Sequence, residues 1–193
     1  MSMTSSPPAV AEASRAARAA GPAAPPAHAA GAPRAADARP PGPAAPRAAS
    51  PCRVAAAPEE LAAHFAVRRE VFVVQQALFA DDRDAHDSDA ATLHVVGVVD
   101  GAIVGTVRLY PLSGGLWKGD RLAVLPCARV HHLGAQLVRF AVASAGARGG
   151  KRMLAQVQVP NVRFFERLGW SCDGAPGPYR GVMHQPMAIP LDR

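Results

Sequence analysis

Long apolar runs are missing from this chain. A membrane-crossing helix needs about 20 consecutive apolar residues, and no stretch of the 193 supplies them. No spanning helix is therefore expected. No charged start followed by an apolar core opens the sequence, so no secretory signal is expected either. Cysteine is scarce: Cys52, Cys127 and Cys172 are odd in number and lack metal or redox spacing. That argues against a disulfide framework or a bound metal and for a reduced, cytoplasmic compartment. Dense basic runs are absent despite the net charge of +6. The tail over 1–50 holds five arginines against Glu12 and Asp37, and the rest of the excess is spread thinly over 51–193. Nucleic acid is not an expected partner. No internal repeat is found.

Residues 1–50 lack aromatic residues and leucine and consist mostly of Ala, Pro, Gly, Arg and Ser. Such a segment cannot bury enough apolar surface to offset the entropy of ordering it. It is expected to be a disordered tail, with one compact domain over 51–193.

Within that domain, Cys52–Ala57 is a candidate strand. Pro58-Glu-Glu60 marks a helix start, with proline in the first turn and carboxylates at the positive end. Leu61, Phe65, Phe72 and Val73 recur at helical spacing, with a break near Arg68. Residues 77–90 read as an acidic loop. Two β-branched runs, Thr92–Val99 and Ala102–Tyr110, flank Asp100-Gly101, a hairpin signal. Pro111–Gly119 reads as a loop and Asp120–Leu125 as a strand. Leu133, Leu137, Phe140 and Ala141 form one helical face, which Gly149-Gly150 ends. Met153–Val159 is a strand, Pro160–Leu168 a helix, and Trp170–Cys172 and Val182–Ile189 close the chain as strands. The class is α+β, a mixed sheet of about seven strands flanked by about four helices.

The most informative stretch is Arg121–Leu137: an apolar strand, a basic turn, then a helix reached through Gly134. A helix N-terminus offers unpaired N–H groups and about half a positive charge. With Arg129, His131 and His132 just before it, this is a seat for a phosphate.

These segments resemble the GNAT N-acetyltransferase superfamily. Its loop signature is Gln/Arg-x-x-Gly-x-Gly/Ala; here it reads Arg129-Val-His-His132-Leu-Gly134, followed by Ala135. His132 stands where the first glycine belongs, and a left-handed backbone there costs histidine on the order of 1 kcal/mol. The family's Asn-x-x-x-Phe-Tyr-x-x-x-Gly-Phe is matched by Asn161, Phe164, Gly169 and Trp170 at equivalent or slightly shortened positions. Phe165 occupies the tyrosine position. Arg68-Arg-Glu-Val-Phe-Val-Val-Gln-Gln76 and Gly181-Val-Met-His184-Gln-Pro-Met187 look like motifs of the ElaA-like subgroup.

The resemblance implies the GNAT fold and acyl transfer from acetyl-CoA to an amine, small or on a protein, with no metal. The fourth strand, Leu122-Ala123-Val124, would splay from the fifth and admit the pantetheine arm. The Val124 N–H would polarise the thioester carbonyl. The amides of Val130, His131, His132, Leu133, Gly134 and Ala135, with Arg129, would hold the phosphates. Asn161, Phe164 and Phe165 would lie beside the pantetheine. Phenylalanine cannot protonate a thiolate, so proton transfer is expected from Tyr179 and His184, with His94 and Asp120 in reserve.

Several readings stay open. Arg68, Phe72, Arg108 and Trp117 are candidates for substrate contact. Arg68 and Arg108 serve equally as structural partners of Glu70 or Asp84, and Trp117 as a packing residue. The acidic loop is read as solvated, or as a lure for a cationic amine. A non-catalytic domain binding CoA or a partner is one rival function. An acyl-homoserine-lactone synthase is another, through overlays on Arg68, Phe72, Asp84, Asp87 and Arg108-Leu-Tyr-Pro111. Membrane association is not expected, and the chain is expected to be a monomer or homodimer.

Overall fold

A computed structural model describes residues 50–191. The expected disorder over 1–50 therefore lies almost wholly outside the described residues. The elements run β1 (Cys52–Val54), α1 (Pro58–Arg68), β2 (Leu93–Val99), β3 (Ala102–Pro111), β4 (Leu116–Val124), α2 (Leu133–Gly146), β5 (Arg152–Gln158), α3 (Val162–Glu166), β6 (Ser171–Cys172), β7 (Gly177–Tyr179) and β8 (Val182–Pro190). The sheet order is β1-β2-β3-β4-β5-β8-β6, with β7 on β8. Among the described residues only β4 and β5 are parallel neighbours. This is the α+β mixed sheet expected, with one more short strand.

Pro58 opens α1, and the Glu60 carboxylate accepts from the Ala56 N–H at 2.9 Å. The break foreseen near Arg68 is real. Arg69–Gln75 winds as a π-helical turn, a device that re-aims side chains and often sits at functional sites. Asp100 and Gly101 both take positive φ, +49° and +81°, as a type I′ hairpin requires.

Two apolar clusters form on opposite faces of the sheet. Strand alternation separates them: Val95, Val107 and Leu109 pack under Leu133, Leu137 and Ala141 of α2. Their neighbours His94, Arg108 and Tyr110 face α1 and the acidic loop, and Ala123 packs there with Val67, Val71 and Phe72. Gly105 lets α2 approach closely, since a Cβ there would lie 2.8 Å from Leu133 Cδ2.

Two boundaries differ from the sequence reading. Leu116–Gly119, read as loop, begins β4 because it pairs with β3 and β5 on both sides. The short strand Gly177–Tyr179, which the sequence reading leaves unassigned, is held by β8.

Candidate active site

The strands β4 and β5 separate. They pair only at Leu116–Lys118 against Arg152–Leu154. Beyond that point the edge of β5 that faced β4 is open, while β8 pairs with its other edge along its whole length and β4 stays with β3. A bulge accompanies the separation: Arg121 has φ +53°, and the β3–β4 register shifts between Thr106 and Arg108. Such bulges increase local twist and bend a strand.

A cleft of about 530 Å³ fills the gap. Val138 and Ala141 of α2 and Phe165 of α3 line it from one face of the sheet. Phe72, Gln76 and Phe79 line it from the other. The cleft thus passes through the sheet, which suits two reactants approaching from opposite sides. Leu122, Asp120, Asn161, Phe165, Tyr179 and His184 all border it.

Backbone polarity at the open end follows from alternation. The Leu125 N–H donates to the Val104 carbonyl at 2.9 Å, so the Val124 N–H points away from β3, toward the gap. Leu122, two residues earlier, points the same way. Gly134 closes this corner: a Cβ there would lie 3.6 Å from Phe164 Cζ and 3.9 Å from Val124 Cγ2. The two sequence motifs and the end of β4 therefore meet.

The loop into α2 is exposed at Arg129, Val130, His131 and His132. His132 is left-handed, with φ +54° and ψ +20°, so histidine adopts the conformation that the glycine position demands. The Leu133 side chain is fully buried and Ala135 donates back to the His132 carbonyl at 3.1 Å. The N–H groups of Leu133 and Gly134 belong to the first turn, where no carbonyl four residues back is available. Arg129 ties β4 to the π turn, through the Val124 carbonyl at 3.2 Å and Gln75 Oε1 at 3.3 Å. Gln76 reaches Gln158 at 3.1 Å. The π turn therefore touches both edges of the opening.

Tyr179 and His184 sit together on the β7–β8 hairpin, ring centroids 5.3 Å apart. His184 Nδ1 lies 2.8 Å from the Val182 carbonyl. A carbonyl only accepts, so Nδ1 carries a hydrogen, which leaves Nε2 as the ring nitrogen able to accept.

Three expectations are corrected. Arg68 and Arg108 do not offer a binding fork to substrate, because both are buried and committed. Arg68 binds Asp82 at 2.5 Å and Asp87 at 2.6 Å, and not Glu70. Arg108 grips Asp84 at 2.6 Å, Asp87 at 2.8 Å and Asp120 at 2.7 Å. Burial favours the neutral form of Arg108, but its bonds to Asp120 and Asp84 outweigh that and hold its pKa well above normal. The acidic loop is solvated only in part: Asp81, Asp84 and Asp89 are exposed, but Asp82 is buried, and the Arg68 and Arg108 contacts outweigh desolvation to keep the Asp87 carboxyl far below its usual range. Trp117 does not line the cleft. It lies in the core against Gly150 at the paired end of β4.

His94, held in reserve for proton transfer, is part of a buried pair. Its Nδ1 lies 3.4 Å from His64 Nε2, and His64 Nδ1 faces the Val95 carbonyl at 3.1 Å. Burial pushes His64 down to about 3. Sequence reasoning missed Lys118, Gln76, Gln158 and Arg180, all in the cleft wall. The alternation of Lys118 and Asp120 against Trp117 and Gly119 was the available signal.

The Acetyltransferase (GNAT) family model matches residues 59–170. Among solved structures, a Lactobacillus plantarum protein designated an N-acetyltransferase is 26% identical at a TM-score of 0.65, covering 72% of this chain and 97% of its own. ElaA of Escherichia coli is 21% identical at TM-score 0.63, with 69% and 91% covered. BjaI, a CoA-dependent acyl-homoserine lactone synthase solved with SAM and isopentyl-CoA, is 18% identical at TM-score 0.60, with 70% and 78% covered. The last two share the fold.

Proposed function

Since the chain belongs to the Acetyltransferase (GNAT) family and is on that ground an acyl-CoA-dependent acyltransferase, we propose that residues 51–193 transfer acetyl from acetyl-CoA to a primary amine. The observation that carries this reading is the early end of β4–β5 pairing, with a cleft through the sheet bordered by Leu122 and, two residues further along the same strand, a Val124 N–H that points away from β3.

The residues fit a thioester whose phosphates sit at the start of α2. The first-turn amides and Arg129 would receive them, and Phe164 and Phe165 would wall the arm. Gln75 releases Arg129 when a phosphate takes its place. The Val124 N–H receives the carbonyl oxygen as negative charge grows there, the contact that matters most in acyl transfer. The amine nitrogen forms the new C–N bond and the C–S bond breaks. One proton passes from nitrogen to sulfur. His184 Nε2 accepts it from the amine, and the Tyr179 hydroxyl supplies one to the leaving thiolate. Holding both reactants in one cleft contributes the larger share, since effective molarity is worth roughly 7–11 kcal/mol.

The test is a melting series followed by a thiol assay. Acetyl-CoA at about 100 times its dissociation constant stabilises by roughly 2.7 kcal/mol, a rise of several degrees. An amine panel then releases free thiol. A rise without thiol release makes the domain a binding module. Release with S-adenosylmethionine alone makes it a lactone-synthase relative. No rise at all removes the proposal.

A further inference from the structure

The cleft contains more positive charge than its acids neutralise. Arg108 holds both oxygens of Asp120, at 2.8 and 2.7 Å, and both oxygens of Asp84, at 2.6 and 2.9 Å. Arg121 adds a bond to Asp84 at 3.0 Å. The acids lining the cleft are therefore consumed by two arginines. Lys118 and Arg180 also line it. Among the described residues neither forms an ion pair.

Both are held in place. Lys118 is the last β4 residue paired with β5, so its backbone is fixed at the closed end of the opening. It is only partly exposed, and burial lowers its pKa, which Asp120 and Tyr179 counter in part. Arg180 occupies the turn of the β7–β8 hairpin at φ +53°, followed by Gly181 at φ +76°. Its guanidinium lies 5.3 Å from the Phe79 ring centroid, on a ring that Arg121 also covers at 4.5 Å. A partly buried ammonium without a counter-ion is costly, and a ligand anion removes that cost.

We propose that the acceptor carries a carboxylate beside its amine, and that Lys118 and Arg180 receive that carboxylate. This rests on the acetyl-transfer reading above and narrows it. Amino-carboxylates fit, whereas polyamines do not, because no acid of the cleft is free to bind a second ammonium. The planar Arg180 fork suits a carboxylate, and Lys118 supplies a point charge.

The experiment uses amines in matched pairs that differ by one carboxylate: phenylalanine with phenethylamine, lysine with cadaverine, tyrosine with tyramine. Thiol release from acetyl-CoA is read for the full chain, for Lys118→Met and for Lys118→Met/Arg180→Ala. In the wild type the carboxylate member of at least one pair is preferred about tenfold or more in kcat/KM, in line with a charged hydrogen bond. The double variant loses that preference through KM, and Lys118→Arg restores part of it. Equal or reversed preference within every pair overturns the inference and leaves acetyl transfer standing. If no amine releases thiol, the acetyl-transfer reading fails, and calorimetry with the same pairs decides the anion site. Heat from carboxylate members that the double variant loses upholds it, and equal heat or none overturns it.

Discussion

The two ends of the β4–β5 interface have opposite designs. At the closed end, Leu116–Lys118 pairs with Arg152–Leu154, and Trp117 and Met153 are sealed into the core. At the open end, past Lys118, β4 bends away at the Arg121 bulge, β5 keeps only β8 on its far edge, and side chains from both faces of the sheet line a cavity. Neighbouring residues therefore have different tasks. Trp117 and Lys118 are adjacent, yet one is core and the other faces the cleft. The closed end sets where the strands must part, and the open end exposes the backbone N–H groups that chemistry needs. Residue type alone does not separate these tasks. Arg108 and Arg180 are both arginines, but three carboxylates neutralise the first and, among the described residues, none binds the second.

The largest effects should fall on the structural side. Arg108→Leu leaves Asp84 and Asp120 without their main partner and Asp87 with Arg68 alone, and breaking a buried ion pair costs about 3–5 kcal/mol. Trp117→Ala empties the closed end at a similar cost of about 3–5 kcal/mol. Urea unfolding checks both. A change in substrate KM at unaltered stability would return these residues to the substrate-binding role that the sequence suggested.

At the open end the effect should be kinetic. His184→Gln should slow thiol release by about 10²–10⁴-fold, the usual worth of a positioned proton carrier, while the urea midpoint moves little. Unchanged turnover would remove His184 from the mechanism.

Acid should loosen the face that packs on α1. His64, pushed down to about 3 by burial, resists a proton that the unfolded chain accepts below about 6.5. Its contribution to stability is therefore complete above that pH and declines as pH falls toward 3, by up to about 1.4 kcal/mol per pH unit. Against desolvation, Arg108 and Arg121 lower the Asp84 carboxyl and Arg68 and Arg108 lower that of Asp87, which adds a second loss below about pH 4. Urea midpoints at pH 7.5, 5.5 and 4.5 should fall in that order, and a flat profile to 4.5 contradicts the buried-histidine reading.

The smallest effect is local. His132→Gly relieves a left-handed histidine but adds backbone entropy to the unfolded chain. The net gain should stay below about 1 kcal/mol. Thermal melting of the variant checks it, and a loss of stability would mean that the histidine side chain contributes contacts.

Much of this was readable from the sequence. The α2 face appears as Leu133, Leu137 and Ala141 at helical spacing, and Asp100-Gly101 announced its hairpin. The motif offset placed His132 at a position that proved left-handed. What escaped notice depends on distance or context. Arg68 lies 14 residues from Asp82 and 19 from Asp87, so no local pattern pairs them, whereas Asp84 was among the partners expected for the arginines and Arg108 takes it. Residues 113–119 are interrupted by three glycines, which disguised the start of β4 and with it Lys118. The Gly-Pro-Tyr of β7 reads as a turn until β8 supplies a partner.

The most direct measurement is calorimetry of coenzyme A with the wild type and with Leu122→Trp, which places a large ring in the gap. The wild type should give saturable heat for one site, and the folded variant should give much less. A wild type silent at millimolar coenzyme A, or a Leu122→Trp variant that binds as tightly, would contradict a thioester lodged between β4 and β5.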